Sequence, residues 1–485
     1  MSGITWQTDP DAAFAMAREH GRPVLLYWGA SWCPPCNRLK ADAFSRADFA
    51  SLARDLVALH IDGDSPGAQA LGARLGLRSY PTLVVYRPDG DEITRLPCEV
   101  SGARFVEMLR VALASRLTAA QSLGAALSHA RPLSDDEWRL LAFYSWDTDE
   151  GRLLGGADAN AGTGAGLDLA AAIAAMHGGC TLPDAALRLE WHGLHAAAQA
   201  ELEPKGSDGA DGGIDRHAAI ARIGQALGDP DAVRAQMDIV IHYAVDLVRF
   251  LTAPQSGERL GLTAAFARAL AFIEDEQATG VADRLAALRT RVRMARLGAL
   301  VAGIEQTVRG RVAAALAAAN APAGSEALRH QVINTAAGML AEAGLPGDAE
   351  ELLADALERS HAPYYFMHSL AALAKKRGDA PAMLDWYARA WEASVGPATR
   401  LQWGATYLQA LLAGGPATGP AGAAQLERIA RLAGALCAQL DGMANAASGR
   451  NGAQRLRMAA ALAAWSATGA PATMQTAALS VALGR

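Results

Sequence analysis

The chain has 485 residues and a formal net charge of −6, with 44 Lys and Arg against 50 Asp and Glu. Its length accommodates about three domains of ordinary size. The charge balance is weakly acidic and the basic residues are scattered, which argues against nucleic acid as a partner. The sequence also lacks any uncharged apolar stretch of about 18 residues, so we expect no membrane-spanning helix.

Cysteine usage and the first ten residues bear on the compartment. The chain holds five cysteines, an odd number, and they include one close pair. This usage fits a reducing compartment better than a disulfide framework. Residues 1–10 show neither a basic segment nor an apolar core of the kind found in signal peptides. We therefore predict a cytoplasmic protein and regard a periplasmic one as less favoured.

The first part of the chain alternates apolar strands with helical patterns. Strands are predicted over 23–29, 57–62 and 79–86, the last ending in the turn 87–90, and helices over 14–20, 38–49 and 69–76. Strands separated by helices are typical of an α/β sheet. We therefore predict an α/β domain over residues 1–116.

The sequence Trp32-Cys33-Pro34-Pro35-Cys36 follows the first predicted strand directly. A Cys-x-x-Cys pair between a strand and a helix is typical of redox proteins. The reactive species is the thiolate, and the free N–H groups and positive end of a helix N-terminus stabilise it. Proline is tolerated in the first helical turn but has no N–H. Cys33 is thus the candidate nucleophile, and the N–H of Cys36 is the nearest backbone donor to it.

Residues 1–116 resemble the thioredoxin fold, with residues 32–36 as the redox loop. The stretches 22–26 and 36–44 resemble the DsbD C-terminal type of thioredoxin domain most closely, and the Trp-Cys-Pro-Pro-Cys string also resembles tryparedoxin and nucleoredoxin. The resemblance implies Cys33 as nucleophile and Cys36 as resolving thiol. It implies a cis-proline at Pro81 and substrate contacts from the residues around the dithiol: Trp32, Pro34, Pro35, Tyr80 and Pro81.

Three positions depart from the pattern of small thioredoxins. Tyr27 stands where they keep a buried Asp, and Ala58 stands where they keep its Lys partner. The resemblance therefore leaves the resolving thiol without its usual proton acceptor. Ala41 replaces the proline that kinks the helix after the redox loop, so we expect the helix over 38–49 to run straighter than its counterpart in small thioredoxins.

Two cysteine assignments remain open from the residues alone. The Cys33 and Cys36 pair could form half of a zinc site, but residues 1–116 hold no second Cys-x-x-Cys and no nearby His pair. We predict no metal and no cofactor. Cys98 falls in the loop that borders the dithiol in the thioredoxin pattern. It is either a third accessible thiol or a small buried apolar residue.

From residue 117 onward, Ala and Leu dominate and apolar residues recur at helical spacing. We predict an all-helical domain over 117–328 and a helical repeat-like region over 329–485. Gly-rich stretches over 155–166, 204–213 and 414–422 are predicted loops or insertions. Ser134 precedes Glu137 by three residues, which predicts a capping box at the start of a helix.

The last region repeats with an offset of 34 residues, the tetratricopeptide period. The offset aligns glycines, apolar residues and prolines in pairs: Gly344 with Gly378, Leu353 with Tyr387, Ala356 with Ala390, and Pro363 with Pro397. Residues 329–412 resemble two degenerate tetratricopeptide repeats. Another helical bundle stays open, because alanine-rich helices match themselves at many offsets.

These features together predict an enzyme, a thiol-disulfide oxidoreductase of the thioredoxin-like kind. Its expected partners are protein disulfide substrates and an unidentified electron donor or acceptor. The helical region is expected to select or position protein partners, since extended repeat surfaces mainly bind proteins. The alternative is a non-catalytic interaction protein that uses both parts for docking. Loss of the Asp and Lys positions favours the alternative, whereas retention of the thiol pair disfavours it.

Overall fold

A computed structural model describes most of the chain. The described residues are 4–65, 67–77, 79–149, 151–155, 168–202, 214–298, 303–322, 324–414, 419–441, 455 and 457–462. The predicted Gly-rich stretch over 204–213 lies outside them, as does the stretch over 155–166 apart from Gly155.

The chain divides into two compact units that do not follow its linear order. Unit 1 comprises Met1–Tyr27, Pro34–His60 and Thr82–Ala349, and unit 2 comprises Trp28–Cys33, Ile61–Pro81 and Glu350–Arg485. The domain boundaries predicted near residues 116 and 328 rest on composition and stay predictions.

Five strands of the described residues form one sheet in the order β1-β3-β2-β4-β5. Their bounds are β1 Trp6–Gln7, β2 Val24–Gly29, β3 Val57–Asp62, β4 Thr82–Tyr86 and β5 Glu92–Leu96. β1 runs parallel to β3, whereas β4 and β5 are antiparallel. Every residue of β2 and β4 is buried, because strands covered on both faces are apolar throughout instead of alternating. The predicted strands are therefore found, although β4 begins at Thr82 and not at Ser79.

Five helices accompany the sheet: α1 Pro10–His20, α2 Pro34–Ala41, α3 Ala47–Leu52, α4 Ala68–Arg74 and α5 Gly102–Ala114. The prediction of a helix over 38–49 that runs straighter than in small thioredoxins is wrong, since α2 ends at Ala41 and α3 begins at Ala47. The Ser45 hydroxyl donates to the Ala41 carbonyl at 2.7 Å, an interaction that competes with helix continuation. Phe44 turns inward and packs against Phe49 with ring centroids 5.1 Å apart. Aromatic packing therefore breaks the helix without a proline.

The rest of the described chain is predominantly helical. The helices are α6 Ala119–Ser128, α7 Asp135–Ala142, α8 Trp146–Asp149, α9 Arg152–Gly155, α10 Leu169–Gly179, α11 Pro183–Leu202, α12 Arg216–Leu227, α13 Pro230–Ala235, α14 Met237–His242, α15 Ala244–Leu251, α16 Gly257–Asp275, α17 Val281–Leu297, α18 Ile304–Asn320, α19 Glu326–Glu342, α20 Pro346–Leu357, α21 Pro363–Arg377, α22 Ala380–Ala393, α23 Pro397–Ala413 and α24 Gly419–Asp441. The capping box of Ser134 and Glu137 is confirmed at the start of α7. Within the described ranges, no helix has the length and apolar character needed to cross a bilayer. Of the stretch predicted as a loop over 414–422, residues from Gly419 onward belong to α24, and 415–418 lie outside the described residues.

The 34-residue offset corresponds to a recurrence of helix ends. Gly344 and Gly378 both adopt the left-handed conformation, with φ of 89° and 79°, which glycine takes at helix C-termini without steric cost. Pro363 and Pro397 open α21 and α23, where a missing N–H costs nothing. Recurring helix ends fit a helical repeat, and the tetratricopeptide assignment itself stays a prediction.

A buried carboxyl group in unit 1 makes stability depend on pH. Glu274 on α16 is 3% exposed, and burial raises its pKa to about 7 although Arg291 and Arg311 oppose the shift. The folded chain thus binds this proton more tightly than the unfolded chain, whose Glu pKa is about 4.3. The contribution of protonated Glu274 to the free energy of unfolding is complete below pH 4.3 and is lost as the pH rises toward 7.

We expect Glu274→Gln to remove this dependence. As the pH rises from 5 to 8, the free energy of unfolding of the variant should increase by about 2 to 3 kcal/mol relative to that of wild type, because glutamine cannot ionise. Urea denaturation at both pH values measures the difference. A variant that follows the wild-type pH profile would contradict the shifted pKa. Glu258→Gln, an exposed change on the same helix, is the control.

Candidate redox site

The predicted redox loop leads into α2. Cys33 immediately precedes the helix, Pro34 and Pro35 take its first two positions, and Cys36 lies in its first turn. The N–H of Cys33 donates to the Ala30 carbonyl at 3.3 Å and forms a turn between β2 and α2. Both thiols are inaccessible, since Cys33 is 3% exposed and Cys36 is fully buried. Cys33 and Cys36 therefore lie between a strand and a helix, as the sequence predicted, but both thiols are buried.

Aromatic rings surround Trp32 in unit 2. Its ring lies 6.0 Å from Tyr80, 6.0 Å from Tyr365 in a stacked arrangement, and 5.5 Å from Trp403. Tyr365 belongs to α21 and Trp403 to α23. Trp32 is 7% exposed. The apolar surface that the sequence assigned to substrate contact is thus occupied by two helices of the same chain.

Asp64 joins Trp32 to the N-terminus of α23. Its Oδ2 accepts the indole N–H of Trp32 at 3.2 Å and the hydroxyl of Thr399, and its Oδ1 accepts the backbone N–H of Thr399 at 2.8 Å. The Trp32 N–H also lies 2.5 Å from the Thr399 hydroxyl oxygen. Burial raises the pKa of Asp64 above its ordinary value, and the bonds from Thr399 and Trp32 offset part of that shift.

The same carboxylate acts as a cap for a helix far along the chain. Thr399 is the third residue of α23, where backbone N–H groups have no partner within the helix. Gly396 precedes the helix with φ of 90°. A Cβ built there would lie 2.4 Å from the Cβ of Asp64. Glycine is therefore required at 396 for its backbone conformation and for the close approach of Asp64.

Two further side chains of unit 2, one from the turn before α21 and one from α21 itself, contact the residue before Trp32. The Nε2 of His361 lies 2.9 Å from the Ser31 carbonyl oxygen, which fits a tautomer protonated at Nε2. The hydroxyl of Tyr364 on α21 hydrogen-bonds with the Ser31 side chain, and burial raises its pKa to about 12. Contacts with α21 and the turn before it thus extend along residues 31 and 32.

Tyr80 and Pro81 also belong to unit 2. The peptide bond between them is cis. Pro81 is buried and Tyr80 is half-buried. The Tyr80 hydroxyl accepts a hydrogen bond from Gln69 at 2.9 Å, and the ring lies where a Cβ at Gly63 would stand. Tyr80 is therefore held in place from both sides.

In unit 1, Arg38 connects α2 to other elements. Its Nε donates to Asp283 on α17 at 2.7 Å, and its two terminal nitrogens donate to the carbonyl oxygens of Cys98 and Val100 at 3.2 and 3.1 Å. Burial alone would lower the pKa of Arg38, but the carboxylate of Asp283 outweighs it and the net shift is upward. Each of the three nitrogens of this buried guanidinium donates at least one hydrogen bond, and such pairing offsets the desolvation of a buried charge.

Cys98 lies close to Cys36 but in a setting that suppresses reactivity. It is 6% exposed. Burial raises the pKa of its thiol well above the ordinary value, and Cys36 adds to the shift. A thiol in such surroundings stays protonated at neutral pH and is a poor nucleophile. The structure thus favours a packing role for Cys98 over that of a third redox thiol.

Tyr27, which stands in place of a buried Asp, is part of an aromatic cluster. Its ring stacks on His60 at 4.6 Å and lies 5.2 Å from Phe44 and 6.0 Å from Trp6. Burial lowers the pKa of His60 to about 4. His60 is therefore neutral at pH 7. The site of the missing carboxylate is filled by apolar packing instead of another acid.

The predicted site residues fall into two groups. Unit 2 holds Trp32, Cys33, Tyr80 and Pro81, and unit 1 holds Pro34, Pro35, Cys36 and Cys98. Within unit 2 Trp32 contacts Tyr80, and within unit 1 Cys98 neighbours Cys36. The roles assigned to these residues stay predictions.

Sequence reasoning missed the groups that hold the loop: Arg38, Asp64, His361, Tyr365, Thr399 and Trp403. Asp64 offered one usable signal, because it lies just beyond the carboxyl end of a strand, where α/β folds place functional side chains. Arg38 lies next to the loop, but its partner Asp283 is 245 residues away from it, and Thr399 is 367 residues away from Trp32. No local pattern indicates such a pairing.

Comparisons with known proteins agree with this architecture. Residues 10–113 match the family model of a thioredoxin-like domain. Over 111 residues the chain is 32% identical to the thiol:disulfide interchange protein DsbD 1 of Pseudomonas aeruginosa, a match that covers 22% of this chain and 19% of the relative. The chain thus matches about a fifth of that relative's length.

Two solved structures are similar over the same share of the chain. One is a DsbH oxidoreductase, with 22% identity, a TM-score of 0.22 and coverage of 24% of this chain and 88% of the other. The second is a thioredoxin from Thermus thermophilus, with 28% identity, a TM-score of 0.21 and coverage of 22% and 85%. Together, the family match and the sheet order show that residues 10–113 are a thioredoxin-like domain, followed by a predominantly helical region.

Proposed function

We propose that the protein is a thiol-disulfide oxidoreductase, with Cys33 as nucleophile and Cys36 as resolving thiol. The observation that carries the proposal is the placement of Cys33 directly before α2 of a thioredoxin-like domain, with Cys36 in the first turn. The positive end of α2 favours the thiolate at Cys33. Pro34 and Pro35 lack N–H groups, so the helix dipole and the Cys36 N–H carry that stabilisation.

The proposed reaction follows thiol exchange. The Cys33 thiolate attacks one sulfur of a substrate disulfide, forms a mixed disulfide and expels the other sulfur as a thiolate, which takes up a proton. The Cys36 thiol then loses its proton and attacks the Cys33 sulfur, which releases the second substrate thiol. The substrate gains two electrons and the protein is left with a Cys33–Cys36 disulfide. A dithiol donor must restore it, or the cycle runs in reverse as an oxidation.

A second candidate function is a non-catalytic interaction protein, and one observation favours it. The Trp32 ring packs against helices of the same chain, and the neighbouring Cys33 is buried, as expected if the redox loop serves as an internal packing surface. Retention of both cysteines supports the catalytic proposal, because a packing surface does not need a thiol pair.

Trapping separates the two candidates. In the full-length chain, Cys36→Ser should accumulate a mixed disulfide with reduced turnover, since nothing is left to resolve it. Incubation with insulin should give an adduct sensitive to dithiothreitol, with insulin attached at Cys33 by peptide mass spectrometry. The double variant Cys33→Ser, Cys36→Ser is the control and should give none. Absence of the adduct in Cys36→Ser would favour the interaction protein.

A further inference from the structure

Access to Cys33 limits what the proposed oxidoreductase can do in the observed conformation. Exchange requires the attacking sulfur to meet a substrate sulfur directly. A thiol that is 3% exposed cannot do so with a disulfide held in a folded protein. The residue beside it, Trp32, is fixed by polar and aromatic contacts at once.

We propose that α21 and α23 hold the redox loop in a closed state that must open before Cys33 attacks a protein disulfide. The closed state is defined by Trp32 bonded to Asp64 and Thr399 and packed on Tyr365 and Trp403. The inference rests on the oxidoreductase function proposed above. It assigns a regulatory role to residues of the helical region, which the sequence linked only to partner selection.

The contacts that close the loop leave only a small free-energy difference between the closed and open states. A buried indole N–H needs an acceptor, and a buried carboxylate needs donors. Asp64 and Trp32 satisfy each other in the closed state, and water satisfies both in the open state. The aromatic area buried on Tyr365 and Trp403 favours closure, whereas the desolvation of Asp64 opposes it. These opposing contributions allow both states to be populated.

Thr399 is the most specific point at which to test the closed state. The residue is 1% exposed, and its hydroxyl accepts the Trp32 N–H and donates to Asp64. Thr399→Val keeps the shape and the backbone N–H but removes both hydroxyl interactions. Thr406→Val is the matched control on the same helix, because that hydroxyl donates only within α23, to Gln402. Trp403→Leu removes the aromatic contact and serves as a second, independent variant.

The measured quantity is the rate at which iodoacetamide alkylates Cys33 in the reduced full-length chain. Fragmentation of the peptide that contains Cys33 and Cys36 assigns the modified thiol. The rate is compared at high pH, where the thiol is fully ionised, so that a change in the thiol pKa does not affect the comparison. Loss of the two hydrogen bonds should raise the rate about tenfold in Thr399→Val. Trp403→Leu should also be faster, and Thr406→Val should match wild type.

Two results would overturn the closed state. One is an unchanged rate in both Thr399→Val and Trp403→Leu, with circular dichroism showing that they are folded. The other is a wild-type rate as fast as that of an unstructured peptide containing the same loop. If Thr399→Val does not fold, Trp403→Leu decides alone.

Insulin reduction measured on the same samples separates this inference from the function it rests on. Faster alkylation together with faster insulin reduction supports both proposals. Faster alkylation without insulin reduction in any variant supports the closed state and argues against the oxidoreductase. Insulin reduction that stays equal in all variants, with equal alkylation, supports the oxidoreductase and overturns the closed state.

Discussion

Replacing Cys33 with serine should lower insulin disulfide reduction to the background rate of dithiothreitol alone. A serine hydroxyl is not ionised at neutral pH and cannot form the mixed disulfide, so the first step is lost entirely. Turbidity of precipitating insulin B chain, followed with dithiothreitol as electron donor, measures the rate. Wild type and Cys33→Ser performing alike would exclude the proposed mechanism.

Cys98→Ser provides the matched control for that experiment. Cys98 is buried and its thiol pKa is raised, and its contact with Arg38 is made by the backbone carbonyl, which serine retains. We expect activity within about twofold of wild type, since the thiol takes no part in exchange. Loss of activity in Cys98→Ser would instead assign the third thiol a place in the redox cycle.

Arg188→Met should produce the largest loss of stability, about 3 to 5 kcal/mol, because it leaves Asp238 buried without its cation. Arg188 is 1% exposed and donates to both carboxylate oxygens of Asp238 at 3.0 and 2.5 Å. Its guanidinium also lies 4.1 Å from the Phe143 ring centroid. Amide hydrogen exchange of α11 and α14 measures the effect locally, and protection should fall at least a hundredfold.

Two comparisons test the cause of that loss. Arg222→Met removes a largely exposed partner of Glu190 on α11 and should cost less than about 1 kcal/mol. The double variant Arg188→Met, Asp238→Leu should recover most of the protection, because no buried charge remains. Equal effects of Arg188→Met and Arg222→Met would show that the buried ion pair contributes little.

The ion pair of Arg188 and Asp238 also makes the free energy of unfolding depend on pH, and the pKa of Asp238 sets the sign of that dependence. Burial alone would raise the pKa of Asp238, but the charge and hydrogen bonds of Arg188 outweigh it and lower the pKa to about 2. The folded pKa thus lies below the unfolded value of about 3.9. The contribution to stability is complete above pH 4 and is lost as the pH falls toward 2.

The sheet could be predicted from sequence because its central strands are buried on both faces. β2 and β4 appear as continuous apolar runs, and such runs between turn residues indicate strands directly. The break between α2 and α3 could not be predicted in this way. It depends on Phe44 packing against Phe49 and Phe105, and a helical pattern over 38–49 contains no information on those contacts.

The redox motif was equally visible, whereas its surroundings were not. Cys33 and Cys36 are recognised by spacing alone, but Thr399 bonds to Trp32 across 367 residues of sequence. The composition of α23 gives no sign of this role, since its threonines look alike and one of them, Thr406, bonds only within the helix. A three-dimensional structure is needed to distinguish them.

The burial of Cys33 also bears on chemical damage. Peroxides convert an accessible thiolate to sulfenic acid and then to sulfinic acid, which ordinary thiols do not reduce. Under the proposed closed state, the buried Cys33 thiol meets such oxidants only during the fraction of time in which the loop is open. Under the same proposal, the helices that delay the substrate also protect the thiol from irreversible oxidation between turnovers.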